Sequence, residues 1–270
     1  MTDWAGVVAA DFALPDADLG PVVDDLAAAL ASPDPVLRDE QAYAVSVRWI
    51  VGGHLDDHLT ELGDRMSRTL RHPEIQARTF AVLVLALAVH RDITAGTADA
   101  AAVRRWRDAF ADWYRSETDL RGWDERLGWL HAVAHGADAL DEFGVSPRLG
   151  RADLVELLDL AATRLITPTD DLFAEQEDDR LAYAMTRLLA RPELTEEDAV
   201  GWVAGIRKVL ETRPPGPMPA QIANTIRTLR CLYVMVDRGV HADVVVRPAH
   251  HTAIMSALGA ALAVAFRGQA

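Results

Sequence analysis

Ten consecutive apolar residues, Phe80-Ala81-Val82-Leu83-Val84-Leu85-Ala86-Leu87-Ala88-Val89, constrain this chain more than any other stretch. On a helix such a run is apolar on every side, so it needs neighbours all around it. It is too short to cross a bilayer, which takes ~20 residues, and the run Ala257 to Phe266 fails in the same way. The segment therefore belongs at the centre of a protein core, within a helix read from Glu74 to His90.

The flanking sequence supplies more helices to surround it. Asp18-Leu19-Gly20-Pro21 opens a helix that runs through Val22, Leu26 and Leu30, with Pro21 suited to the first turn. Ser32-Pro33-Asp34-Pro35 breaks it, and a second helix carries Val36, Tyr43, Val47 and Ile50 up to Gly52-Gly53. Further helices are read at about 54–71, 99–115, 128–142, 151–165, 175–190, 195–212, 218–238 and 247–267, with Ser116 to Glu125 as a loop. Val244-Val245-Val246 is too brief to carry a sheet.

The expected fold is all-α: antiparallel helix pairs stacked as a HEAT- or armadillo-like superhelix, with a globular helical bundle as the alternative. Arg71-His72-Pro73-Glu74 and Arg191-Pro192-Glu193-Leu194 resemble each other at presumed pair boundaries, although the internal repeat is weak. Residues 1–19, with Trp4 and Phe12, are read as a short helix or arm. Residues 20–270 are read as one helical repeat domain.

A formal net charge of −14 argues against sequence-independent nucleic-acid binding, which needs cationic surface. Lys208 is the only lysine, so the basic residues are nearly all arginine. The single cysteine, Cys231, sits in an apolar run and is read as a buried, inert thiol. Met1-Thr2-Asp3-Trp4 lacks the basic-then-hydrophobic pattern of a signal peptide, which makes a cytoplasmic, non-membrane protein the expectation.

The stretch most suggestive of a site is Gly128 to Glu142. Read as one helix at ~100° per residue, it places His131, His135, Asp138 and Glu142 within about 60° of one another. Trp129, Val133, Leu140 and Phe143 fall on the other side. The spacing i, i+4, i+7 suits His131, His135 and Asp138 as ligands to a divalent metal such as Zn²⁺, Mn²⁺ or Fe²⁺. Glu142 would then support them or act as a general base. The structural alternative is a polar stripe lining a groove, its histidines hydrogen-bonded to carboxylates.

Other candidates are weaker. His54, His58 and Glu61 repeat the spacing upstream, but His54 follows Gly52-Gly53 and fits a cap position. Arg121 and Arg180, from charged clusters that include Asp119 and Glu177, are candidates to pair with a ligand carboxylate or phosphate over the groove. Asp170 and Asp171 superficially fit a Mg²⁺-diphosphate motif, lack its partner, and read as a helix cap. His90 and His241 stand alone at helix ends. P-loop, dinucleotide-binding and nucleophile-elbow templates are missing.

The residues Gly128-Trp129-Leu130-His131-Ala132-Val133-Ala134-His135-Gly136-Ala137-Asp138 resemble the signature of an uncharacterised bacterial family, DUF2785. Glu117 to Gly122, Glu177-Asp178-Asp179-Arg180-Leu181 and Asn224 to Tyr233 are similar to that family's pattern, which spans roughly residues 70 to 240. Leu130 stands where the pattern has a more polar residue. The resemblance implies an all-α, HEAT-like chain and no assigned activity.

Two functional expectations follow. The first is a helical-repeat protein that binds a protein partner or small ligand in a concave groove centred on the His131-His135-Asp138 helix. The groove candidates are Trp129, His131, His135, Asp138, Glu142, Arg121, Glu177 and Arg180, and no cofactor is required. The second is a metal-dependent hydrolase that uses the His/His/Asp stripe.

Overall fold

A computed structural model describes residues 1–213, 215–239 and 247–265. The helices are α1 (Trp4–Ala9), α2 (Leu19–Leu30), α3 (Ala44–Val51), α4 (Leu59–Thr69), α5 (Ile75–Ala95), α6 (Ala100–Ser116), α7 (Ala132–Val145) and α8 (Arg151–Ile166). They continue with α9 (Glu177–Leu189), α10 (Glu196–Gly201), α11 (Val203–Glu211), α12 (Ala220–Arg238) and α13 (His251–Ala265). A π-helical stretch, Val36–Tyr43, runs into α3, and a 3₁₀ turn, Asp56–His58, leads into α4. The one sheet among the described residues is a two-stranded hairpin, β1 (Trp123–Asp124) and β2 (Gly128–Trp129). The chain is thus mostly helical. The expected Val244–Val246 segment, His241 and the end of the 247–267 helix lie outside the described residues.

Helix α5 is buried around its circumference from Ile75 to Val89, with Leu87 alone partly open after Phe80. Its neighbours form two rows. Helices α3, α5, α7, α9 and α12 pack one against the next, and α4, α6, α8, α11 and α13 do the same behind them. Helix α1 docks on the π stretch and α3, burying Trp4 with its ring 6.0 Å from Trp49. The Trp49 indole N–H donates to the Phe12 backbone carbonyl at 2.7 Å, so the N-terminal arm is fastened by the Trp4 ring and by a backbone hydrogen bond at Phe12.

Local chemistry explains most boundaries. Asp99 accepts the Ala102 N–H at 2.6 Å and caps α6, and Gly96, in the left-handed region at φ 69°, ends α5. The helix expected over 195–212 divides at Trp202, whose indole N–H donates to the Ala199 carbonyl at 2.9 Å. Asp170 and Asp171 lie in the loop before α9 and cap no helix. The Asn224 side chain spans that loop, donating to the Asp171 carbonyl and accepting the Phe173 N–H, each at 2.9 Å.

The two similar Arg–Pro phrases mark different places. Arg71–Glu74 leads from the rear row into α5, whereas Arg191–Leu194 leads from α9 out of the front row. They also bond differently: Arg191 donates to the carbonyls of Gly144 at 2.7 Å and Ser146 at 3.1 Å, closing the α7–α8 connection. The phrases therefore do not report a common repeat unit.

Helix α7 approaches its neighbours closely because Ala132, Ala134, Gly136, Ala137 and Ala139 are small and buried. At Gly136 a Cβ would overlap the Cε2–Cδ2 edge of the Tyr114 ring, whose hydroxyl donates to the Val133 carbonyl at 3.1 Å. Both groups are buried and the Tyr114 ring is stacked on Phe110, so neither has room to yield. Gly136→Ala is expected to destabilise the fold by about 1–3 kcal/mol, the usual cost of overpacking, measured by urea unfolding.

Candidate functional site

The stretch read as one helix from Gly128 to Glu142 is two structures. Residues 123–129 form the hairpin and α7 begins only at Ala132. Asp124 Oδ1 accepts the N–H groups of Arg126 and Leu127 at 3.0 and 2.9 Å, an Asx-type turn that reverses the chain. Gly128 then takes φ 72° beside Pro35 and Arg38, and the N–H groups of Leu130 and His131 both donate to the Gly122 carbonyl. His131 itself is the N-cap residue, in the left-handed region at φ 46°.

A buried arginine anchors this hairpin to the N-terminal helices. Arg38, fully enclosed in the π stretch, donates to the Leu127 carbonyl at 2.6 Å and lies 4.5 Å over the Phe80 ring. Its charge faces Asp39, with Nε and Oδ1 2.7 Å apart. Two exposed tryptophans crown the hairpin: Trp123 is 50% and Trp129 40% exposed, edge to face at 4.6 Å.

A chain of rings leads inward from them. His131 stacks on Trp129 at 4.4 Å and lies 5.4 Å from His135, which meets the edge of Phe80 at 5.4 Å. Phe80 in turn meets Tyr43 at 5.9 Å. His135 Nδ1 donates to the Thr79 carbonyl at 3.2 Å, which fixes the tautomer and leaves Nε2 as the lone-pair nitrogen. Burial, reinforced by Arg180 and His131 nearby, holds its imidazole neutral well below the ordinary range.

His131 Nδ1 stands 3.8 Å from Glu177 Oε1, an ion-pair distance with no hydrogen bond, and is itself buried without a partner. Burial raises the Glu177 carboxyl. Contact with His131 and the backbone amides of Glu177 and Glu175 outweigh that, leaving it below the ordinary carboxylate range. Glu177 is the first residue of α9 and enclosed, so this corner joins the N-termini of α7 and α9.

The cavity of the front row lies further along α7. It measures about 500 Å³ and is walled by α5, α7 and α9, with Tyr43 and Val51 at one side and Met235 at the other. Leu83, Ala86 and Leu87 supply its apolar wall; Asp138, Asp141, Glu142, Asp179 and Arg180 supply its charge. Arg180 grips both oxygens of Asp138, Arg187 reaches Asp141 Oδ2 at 2.5 Å, and Glu142 Oε1 is 3.2 Å from His90 Nδ1. Asp141 Oδ1 is buried without a donor. Burial pushes the Asp141 carboxyl up to about 7, with Arg187 opposing and Glu142 adding to the rise, and burial also raises Glu142.

Of the eight groove candidates, then, Asp138, Glu142 and Arg180 line the cavity. Trp129, His131, His135 and Glu177 gather at the hairpin end of α7 instead, and Arg121, in the segment leading into the hairpin, pairs with Asp119 at 2.7 Å and Asp124 at 2.5 Å. The proposed metal set His131, His135 and Asp138 does not converge. His131 precedes the helix, Asp138 is taken by Arg180, and among the described residues no three His, Cys, Asp or Glu side chains are placed to hold an ion. His54 and His58 likewise precede α4, so with Glu61 they share no helical face, and none of the three lines the cavity.

Asp141, His90, Tyr43 and Leu87 are cavity residues that sequence reasoning missed. Asp138, Asp141 and Glu142 at i, i+3, i+4 share one helical face, a signal available once the stripe is measured from Asp138 rather than from His131. His90 is not a solitary helix-end histidine: it lies inside α5 and faces Glu142. Cys231 is half-buried, its thiol pushed up to about 12 by burial and by Asp179, which fits an inert group.

The chain is thus a mostly helical protein with a partly charged cavity against one central helix, and among the described residues no helix is long and apolar enough to cross a membrane. The family model for DUF2785, "Protein of unknown function", matches residues 68–234, and the chain belongs to that family. That span holds the hairpin and α5 through α11 in full, with most of α12, and leaves Tyr43 and Arg38 outside it. No curated protein and no solved structure matches it.

Asp141 gives a pH test of the cavity's electrostatics. Its carboxyl titrates near 3.8 in the unfolded chain and about 7 in the folded one. Between those values the folded state keeps a proton that the unfolded state has released, so this group's contribution to stability falls as pH rises and is lost above about 7. Thermal unfolding is expected to show the difference Asp141→Asn minus wild type growing more favourable from pH 5 to pH 8. A pH-independent difference would contradict the raised value.

Proposed function

We propose that the chain is a helical-repeat binding protein whose two rows of helices wind in the HEAT manner, and that the cavity along α7 takes a small organic ligand or the side chain of a partner. One observation carries the reading: a cavity of about 500 Å³ is apolar on its α5 wall and charged on its α7 and α9 walls. That volume lies in the range of ~300–1,000 Å³ common for small-ligand sites, which combine apolar enclosure with a few polar groups. Perturbed carboxyls inside it, Asp141 and Glu142, are a further mark of functional sites.

The geometry does not support the hydrolase reading. Its three intended ligands are spoken for or misplaced, and His135, enclosed against Thr79 and Phe80, serves the packing of α7 on α5. The hairpin tryptophans and His131 sit at one end of the same front row and supply a second contact surface for a larger partner.

The test is occlusion. Leu87 is partly open at the cavity wall, so Leu87→Trp fills the space while leaving the sealed core intact. In a thermal-shift screen of small molecules, compounds that raise the wild-type midpoint are expected to lose that effect in Leu87→Trp and to keep it in His131→Ala. Hits that survive Leu87→Trp and vanish in His131→Ala would move the site to the hairpin end.

A further inference from the structure

The charges around the cavity do not balance. Four carboxylates line it, those of Asp138, Asp141, Glu142 and Asp179, and Arg180 is the arginine among the lining residues. Arg187 adds a second guanidinium through Asp141; it is not itself a lining residue, and its Cζ lies 5.7 Å from the centroid of the Tyr183 ring. His90 offsets Glu142 only when protonated.

Each cation present is already committed. Arg180 is spent on Asp138 in a two-point contact, and Arg187 meets only one oxygen of Asp141. The other oxygen, Oδ1, has no donor at all, although Asp141 is only 7% exposed. A buried acceptor without a donor is costly, and a carboxylate in that position more so. Carboxylates therefore outnumber guanidinium groups around the cavity, and the carboxyl of Asp141 is only half satisfied. Opposite it stand Leu83, Ala86, Leu87 and the ring of Tyr43, which suit a hydrocarbon body or ring.

We propose that the cavity binds a small organic cation, an amine or guanidine whose charged head sits among Asp141, Glu142 and Asp138 and whose apolar body lies against Leu83, Leu87 and Tyr43. The inference rests on the binding role given to this cavity above and adds the class of ligand. Arg180 is a weakened anion receptor here, because Asp138 already accepts from its Nε and Nη2 and offsets its charge. A carboxylate or phosphate ligand would enter a space already rich in like charge.

Three probes of one shape separate the possibilities: 2-phenylethylamine, its neutral counterpart 2-phenylethanol, and the anion 3-phenylpropionate. Each is titrated into the full chain at pH 7.5 and followed by ligand-observed NMR. The amine is expected to bind at least about tenfold more tightly than the alcohol, as one charge-assisted hydrogen bond allows. The anion is expected to be the weakest. The amine's advantage is expected to shrink in both Asp141→Asn and Glu142→Gln, and amine binding to disappear in Leu87→Trp.

Equal binding of alcohol and amine, or tighter binding of the anion, with loss in Leu87→Trp, would overturn the cationic class and leave the cavity as a binding site. Amine binding that persists in Leu87→Trp, or an amine advantage unchanged in both carboxylate variants, would place the cation elsewhere and overturn the inference. Failure of all three probes to bind the folded wild-type chain would also overturn it, while the thermal-shift screen judges the cavity independently.

Discussion

The close approach of α7 to α5, α6 and α9 is the constraint on which the rest depends. Gly136 lies against the Tyr114 ring, and the alanines on either side of it let α7 sink between its neighbours. A helix seated that deeply has little room for polar residues along its length, because each buried one needs a partner. Its remaining polar positions therefore appear in two places. At the N-terminal end, His131 and His135 are absorbed into a stack of rings. Towards the C-terminal end, Asp138, Asp141 and Glu142 meet Arg180, Arg187 and His90 across an open space.

Much of the fold is legible in the sequence because helices are specified locally. The apolar run Phe80–Val89 places α5 at the centre, and proline and glycine signals locate most helix ends to within a few residues. What escapes is non-local. The true start of α7 depends on the hairpin, and the hairpin is held by Arg38, which reaches a carbonyl 89 positions away. Periodicity measured through Gly128 cannot register that contact, although Asp124 with Gly128 carries the turn chemistry that signals it.

The site was legible as a helix and not as a set of side chains. Asp138, Glu142 and Arg180 emerged from spacing and charge alone. The histidines drew attention because imidazoles at i and i+4 look like metal ligands, yet a histidine that donates to Thr79 and packs on Phe80 is a core residue with a polar edge. Which carboxylate would be left with an unsatisfied oxygen depends on α9 arriving with Arg187 at one side of Asp141 and not the other. That is set by tertiary packing, so no pattern within α7 reveals it.

The proposed binding role rests on a central cavity, with a peripheral aromatic hairpin as a second surface, and the two are joined by the rings of Trp129, His131, His135, Phe80 and Tyr43. Their relative importance is measured most directly by a crystallographic fragment screen on the full chain. Fragments bound between Leu87, Tyr43 and the carboxylates of α7 are the expected result. An empty cavity in every data set, with fragments collected instead on Trp123 and Trp129, would contradict a site centred on the cavity.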